Sequence, residues 1–247
     1  MTGQLLLRGM IVGLIAGLLA FGFARVFGEP MVDRAIAFEE QQAQKAGEAP
    51  EPEMVSRATQ AGSGLFTGTV IYSTAIGGLF ALVFAFGYGR LGTLGPRGTA
   101  AVLAATGFIA VIVVPFMKYP ANPPAVGNSE TIGMRTELYF VMIAACIAGM
   151  VLAFMLARNL TAKFGTWNGV IATGLAYVVF IAIVQTLLPA INEVPENFSA
   201  YVLWNFRIAT FGIHAIVWTV LGLLFGWAAE RALIKQGSYR PAVPAAR

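Results

Sequence analysis

Six long apolar runs separated by short polar stretches set the pattern of this chain, at 6–27, 65–87, 99–117, 136–157, 167–190 and 207–229. A helix needs roughly 20 consecutive apolar residues to cross about 30 Å of hydrocarbon, and every run comes close to or exceeds that length. None alternates apolar and polar positions as a membrane barrel strand does. Within lipid, only helices and closed barrels satisfy their own backbone groups. The pattern therefore predicts an all-α integral membrane protein, a six-helix transmembrane bundle forming a single polytopic domain over 1–247. The first run follows Arg8 and lacks a small-x-small cleavage site, so it reads as a retained helix and not a signal peptide.

The runs group as three helical hairpins that recur about every 70–80 residues. Each even-numbered run is preceded by an arginine (Arg57, Arg135, Arg207) and followed by another (Arg90, Arg158, Arg231). Each odd-numbered run meets proline and charge at its far end, at Gly28-Glu29-Pro30, at Pro115 to Pro120 and at Pro189 to Pro195. Either an ancestral repeat or the ordinary preference of arginine and proline for span ends produces this spacing. Small residues at Gly9, Gly13 and Gly17, and at Gly64, Gly68, Gly77 and Gly78, predict close backbone packing inside the bundle or against another subunit.

The longest loop is 28–64. Asp33 is placed to cap a short helix that stops at Gly47, and the acidic, proline-rich Glu48–Glu53 follows as a solvated linker. The glycine-rich stretch Gly87–Gly98 lacks the Lys-Ser/Thr ending of a phosphate-binding loop and reads as a tight turn.

Composition and charge refine the picture. Apolar types make up 57% of the chain and charged types 11%, well below the roughly 25% charged of soluble domains. With six crossings, Arg8, Arg90, Arg97, Arg158, Lys163, Arg231, Lys235, Arg240 and Arg247 fall on one side with a single acid, Glu230. The other eleven acids fall on the opposite side. A Lys/Arg excess marks the cytoplasmic face, so both termini are expected there. The acids on the opposite face point to cations as what that face meets. The one cysteine, Cys146, lies inside the fourth run and has no internal partner for a disulfide.

No hydrolytic or group-transfer motif is present, no paired-Cys or HExxH metal site occurs, and the chain reads as non-enzymatic. Three features remain. The segment 114–127 packs Pro115, Pro120, Pro123 and Pro124 around Lys118, Tyr119 and Asn122, a stiff stretch that either holds those side chains over an entrance or anchors them at headgroup level. The stretch 188–196 carries Glu193 and Glu196, and Glu193 is expected to pair with Arg207 across the short loop. The lone His214 lies about 10 Å inward from Arg207, on a face shared with Phe211 and Trp218 and at the depth of Gln185. Ionisable groups inside spans are functional candidates by default, and an imidazole bonded to Gln185 as a simple bundle contact is the competing reading.

Taken together, Ala24–Pro30 with Ala35–Glu40, the Val-Pro-Phe-Met-Lys-Tyr-Pro-x-Asn-Pro-Pro-Ala-Val-Gly segment at 114–127, and Leu-Pro-x-x-Asn-Glu-Val-Pro at 188–195 with Phe206-Arg207 resemble the CbtA family of bacterial cobalt-transporter subunits. The resemblance spans nearly the whole chain. It implies cobalt uptake linked to cobalamin synthesis at the bacterial inner membrane, with a small, histidine-rich CbtB-like membrane subunit as partner. Members are described with five spans, against the six read here.

Co2+ accepts imidazole, carboxylate and water. One histidine and one buried cysteine are too few for a tight resident site, so no tightly bound cofactor is expected. Glu29, Glu193 and Glu196, with His214, suit transient passage of a transported ion. The contrasting expectations are a membrane scaffold or assembly factor that transports nothing, or a channel for another cation.

Overall fold

Helix accounts for all six apolar runs in a computed structural model, which describes residues 2–47, 54–128 and 130–240. Among the described residues six continuous rods are long and apolar enough to span a membrane: Thr2–Ala46, Arg57–Gly87, Pro96–Lys118, Ile132–Phe164, Thr166–Leu187 and Ala200–Lys235. The first rod is α1 (Thr2–Phe23), a π-helical turn at Ala24–Gly28, and α2 (Glu29–Ala46); the second is α3 (Arg57–Thr59), a π turn at Gln60–Gly64, and α4 (Leu65–Gly87). The third is α5 (Pro96–Phe108), a π turn at Ile109–Val113, and α6 (Val114–Lys118). Then come α7 (Ile132–Phe164), α8 (Thr166–Leu187), and α9 (Ala200–Val220), which runs through a π turn at Leu221–Phe225 into α10 (Gly226–Lys235).

Two sequence expectations change here. Asp33 does not start a helix; it lies inside α2, which continues from the first span and stops at Gly47 in the left-handed conformation (φ 71°). Pro30 and Pro115 do not end their helices either. Each is the second residue of the helix that succeeds a π turn. Proline removes the N–H that an α-helical carbonyl four residues earlier would use, and a wider π turn is one way for a helix to absorb such a break and continue. At Pro189 the expectation holds, since α8 closes at Leu187. The linker Glu48–Glu53 lies outside the described residues.

The chain forms two compact units. The first comprises Met1–Val26, Glu53–Ala105 and Gly212–Arg247. Here α1 lies against α4, with Gly9 and Gly13 set directly on the backbone of Gly77 and Ser73. A side chain at Gly9 or Gly77 would collide with main chain, so these two positions let the helices approach closely. Gly68, by contrast, faces open space. Span six enters the same unit through Gly222 and Gly226, which sit on Ala104 and Ala100 of α5. Phe225 is edge-on to Phe80 (5.4 Å) and Phe84 (5.2 Å), and Trp218 is edge-on to Phe80 (6.3 Å). Without a hydrophobic drive between helices in lipid, such packing contacts hold the unit. Gln236 Nε2 donates to Gln4 Oε1 at 2.9 Å, so the start of the first span and the end of the last meet at one end, as an even number of crossings requires.

The second unit comprises Phe27–Pro52 and Thr106–Phe211. Its spine is α7 against α8, which turn into each other at Gly165 (φ 79°). These are the fourth and fifth spans, so a tight antiparallel pair joins what the sequence grouped as separate hairpins. Met142, Cys146 and Ile181 pack with Ala110, Val114 and Tyr119 in its core. A second core gathers Met31 and Ala35 of α2 with Val126, Phe198 and Val202.

A stitched cap as the candidate functional site

The end of the second unit that carries the acids is built by four basic or phenolic side chains binding loop groups that helices cannot satisfy. The last carbonyls of a helix lack intrahelical donors. At the end of α8 the Gln185 carbonyl would look four residues on for its N–H, and residue 189 is a proline with none to give. Lys118 Nζ fills the gap, donating to Gln185 O at 2.8 Å. A cation there also suits the negative end of the helix dipole. The next residue, Tyr119, is buried and donates its hydroxyl to Pro189 O at 2.8 Å. Burial pushes the Tyr119 phenol above its ordinary range, so it stays a protonated donor at neutral pH. Adjacent residues of one loop thus hold the end of α8 and the proline that follows it.

Arg207, in the second turn of α9, reaches the proline-rich loop in the same way. Its Nε donates to Ala121 O at 3.2 Å and its Nη2 to Asn122 Oδ1 at 3.0 Å. Pro123 is buried beside it, and Val126 N donates to Pro123 O at 3.1 Å, closing a turn that places Ala125 at φ 66°. Pro120 follows Tyr119 and ends the helical path.

Glu193 does not pair with Arg207. Its Oε2 accepts from Arg135 Nη1 at 2.5 Å, and its Oε1 accepts from the Thr131 hydroxyl. The carboxylate side chain is 4% exposed and that of Arg135 is 24% exposed. Thr131 stands at the N-cap position of α7, its hydroxyl turned to Glu193 and not to the helix, and Arg135 lies in the first turn, where the positive end of the helix dipole favours an acid. Sequence proximity favoured Arg207 as partner, but Arg207 is held by Asn122 and Ala121. From the sequence alone Arg135 reads only as a span-flanking charge, and Thr131 does not stand out. The available signal was their position at the expected start of a helix, where a carboxylate is welcome.

The remaining candidates are spread out. Glu196 is exposed on the loop before α9, and Glu29 is buried at the start of α2, both in the second unit. His214 lies in the first unit, edge-on to Tyr72 with ring centroids 5.9 Å apart, and its buried Nδ1 has no hydrogen-bond partner among the described residues. Gln185 belongs to the second unit. Among the described residues no three His, Cys, Asp or Glu side chains come together as a set able to hold a metal ion. What the cap offers chemically is a rigid frame of fixed cations and carbonyls, with one carboxylate already neutralised by an arginine.

Comparison with known proteins gives one family. The model described as "Probable cobalt transporter subunit (CbtA)" matches residues 2–230. Neither curated proteins nor solved structures give a match.

Proposed function

This chain belongs to the CbtA family of cobalt-transporter subunits, and from that premise we propose that its bundle forms the ion path of a Co2+ uptake system. The observation that carries the reading is the joining of the Lys118–Asn122 loop to the 185–193 stretch and Arg207. These separate segments, distant in sequence, are built into one cap on the side that bears the acids. A merely solvated connector needs no such construction.

In this reading the carboxylates meet the hydrated cation first. Glu196, exposed, attracts it, and Glu29 in the second unit and His214 in the first are each points of weak contact. Glu193 engages the ion only by exchanging Arg135 for it, which keeps binding loose enough for release. A small, histidine-rich CbtB-like subunit captures the ion, and the bundle conducts it across the bacterial inner membrane toward cobalamin synthesis. The basic end, where the first and last helices meet, faces the cytoplasm by the positive-inside rule.

The test is 57Co accumulation in cells expressing Glu29→Ala, Glu193→Ala or His214→Ala at equal membrane abundance, with Tyr119→Phe, which loses only the cap bond to Pro189, as control for the cap's integrity. A fall with the acid or histidine variants and not with Tyr119→Phe supports a path through them. Wild-type accumulation in all three removes them from it. Uptake into vesicles with and without the companion subunit tests the division of labour.

A further inference from the structure

At the basic end of the first unit, α1 and α10 leave a groove of about 600 Å³ between Arg8 and Lys235, with an adjoining hollow of about 230 Å³ beneath Arg231 and Trp227. Arg8 spends one donor on its own helix, Nη1 to Gln4 O at 3.0 Å. Arg231 lies 4.1 Å over the Trp227 ring. None of these three cations meets a carboxylate among the described residues, and the acid nearest in sequence, Glu230, is held by Arg97 at 2.6 Å. Arg8 and Lys235 therefore line both the groove and the hollow, Arg231 lines the hollow beside them, and no carboxylate among the described residues offsets the three charges. The groove is not polar throughout. Its α1 wall carries Leu7 and, one turn deeper, Ile11, which are 59% and 51% exposed.

We infer that this groove seats the phosphate of an anionic phospholipid, its acyl chains lying along Leu7 and Ile11. Cations at the mouth and an apolar wall below match the order of groups along a lipid molecule. Basic pockets between membrane helices recognise such headgroups through charge and hydrogen bonds. A free phosphate would gain nothing from the Leu7–Ile11 wall, and an exposed Trp at the rim is where an interfacial ring belongs. The inference stands independently of which ion the protein carries.

The experiment is native mass spectrometry of the detergent-purified full chain titrated with phosphatidylglycerol, cardiolipin or phosphatidylcholine. The expected result is retention of the anionic lipids over phosphatidylcholine, weakened roughly fivefold for each of Arg8→Gln, Arg231→Gln and Lys235→Gln. Arg158→Gln with Lys163→Gln, which removes two charges of the same sign from the second unit, leaves retention unchanged. The charge-keeping set Arg8→Lys, Arg231→Lys and Lys235→Arg retains binding, which separates loss of charge from loss of fold in the neutral variants. Equal retention of phosphatidylcholine, or equal losses from the Arg158/Lys163 variant, would overturn the site. Displacement of the lipid by millimolar inorganic phosphate, or full binding of deacylated glycerophosphoglycerol, would make it a phosphate site and sink the lipid assignment. Retention unaffected by Leu7→Ser with Ile11→Ser would do the same.

Discussion

Lys118 donates to the backbone carbonyl of Gln185 at 2.8 Å, and that carbonyl is the one Pro189 deprives of its helical donor. Lys118 and the Gln185 carbonyl, 67 residues apart, are thus made into one physical device by the proline that follows. The device makes a prediction through its own logic. Lys118→Met leaves a part-buried carbonyl without a partner and costs about 1.5–3 kcal/mol, the range for a charge-assisted bond. Pro189→Ala returns an N–H to the helix, so in that background the loss from Lys118→Met shrinks by at least half. Thermal unfolding of the four proteins in one detergent closes the double-mutant cycle. Additive losses would mean that the lysine and the proline act separately.

The Glu193–Arg135 pair predicts an asymmetry. Glu193 is almost fully enclosed, while Arg135 reaches solvent. Arg135→Gln strands an enclosed carboxylate and costs about 2–3 kcal/mol, below the ~3–5 kcal/mol of a fully buried pair. Glu193→Gln leaves an arginine that can rehydrate, keeps an acceptor for Thr131, and costs about 1 kcal/mol. Melting temperatures of the two variants decide it, and the reverse order would show that the arginine is the more confined partner.

How much of this was legible beforehand depends on which distances local pattern controls. Six spans follow from bilayer thickness, and Gly9 and Gly13 were readable as a close-packing face. Their partner was not. Gly64 and Gly68 looked as suitable as Gly77, but the rotation of α4 about its axis is set by tertiary packing, which turns Gly77 and Ser73 toward α1. Likewise, the missing donor of Pro189 was written in the sequence, and the identity of the side chain replacing it was not. Arg207 was assigned to Glu193 because only 14 positions separate them. The structure instead gives Glu193 a partner 58 positions away and Arg207 partners 85 and 86 positions away. Continuing α2 through Pro30 was missed because a proline usually reads as a stop, and a π turn is not visible in composition.

Close packing of α1 on α4 predicts that position matters more than residue type. Gly77→Leu forces side-chain atoms into the backbone of Gly9 and Gly13 and destabilises the first unit by at least the ~1–3 kcal/mol of an overpacked core. Gly68→Leu, in the same helix but facing open space, is neutral or slightly stabilising. Fluorescence-detected size exclusion after a heat step separates the two. Equal melting points would remove the glycine contact from what holds these spans together.

Tyr119 predicts a pH dependence with a definite sign. Burial raises the folded-state phenol above the ordinary value near 10. A raised folded value means that the hydroxyl contributes stability in full below the unfolded phenol's pKa and loses it as pH climbs through the folded one. Tyr119→Phe should therefore be less stable than the native protein by about 0.5–1.5 kcal/mol at pH 7–9, the worth of the bond to Pro189. The gap should narrow as pH rises beyond about 10. Unfolding curves of both proteins between pH 7 and 11 test this. A constant gap would mean that the ring's packing, and not its hydroxyl, does the holding.

His214 offers the cleanest separation of function from stability. Its buried Nδ1 has no hydrogen-bond partner among the described residues, so an apolar replacement abandons no bond at that atom and relieves an unmet polar group. Phenylalanine also keeps an edge contact with Tyr72, now 5.9 Å from the imidazole. His214→Phe is therefore expected to melt within about 1 kcal/mol of the native protein and to reach the membrane at equal abundance. If cobalt accumulation then falls at least tenfold, the imidazole is retained for the ion or a proton and not for the fold. If accumulation is unchanged while the protein stays folded, His214 is a packing residue of the first unit, and the path must be drawn through the second unit's carboxylates alone.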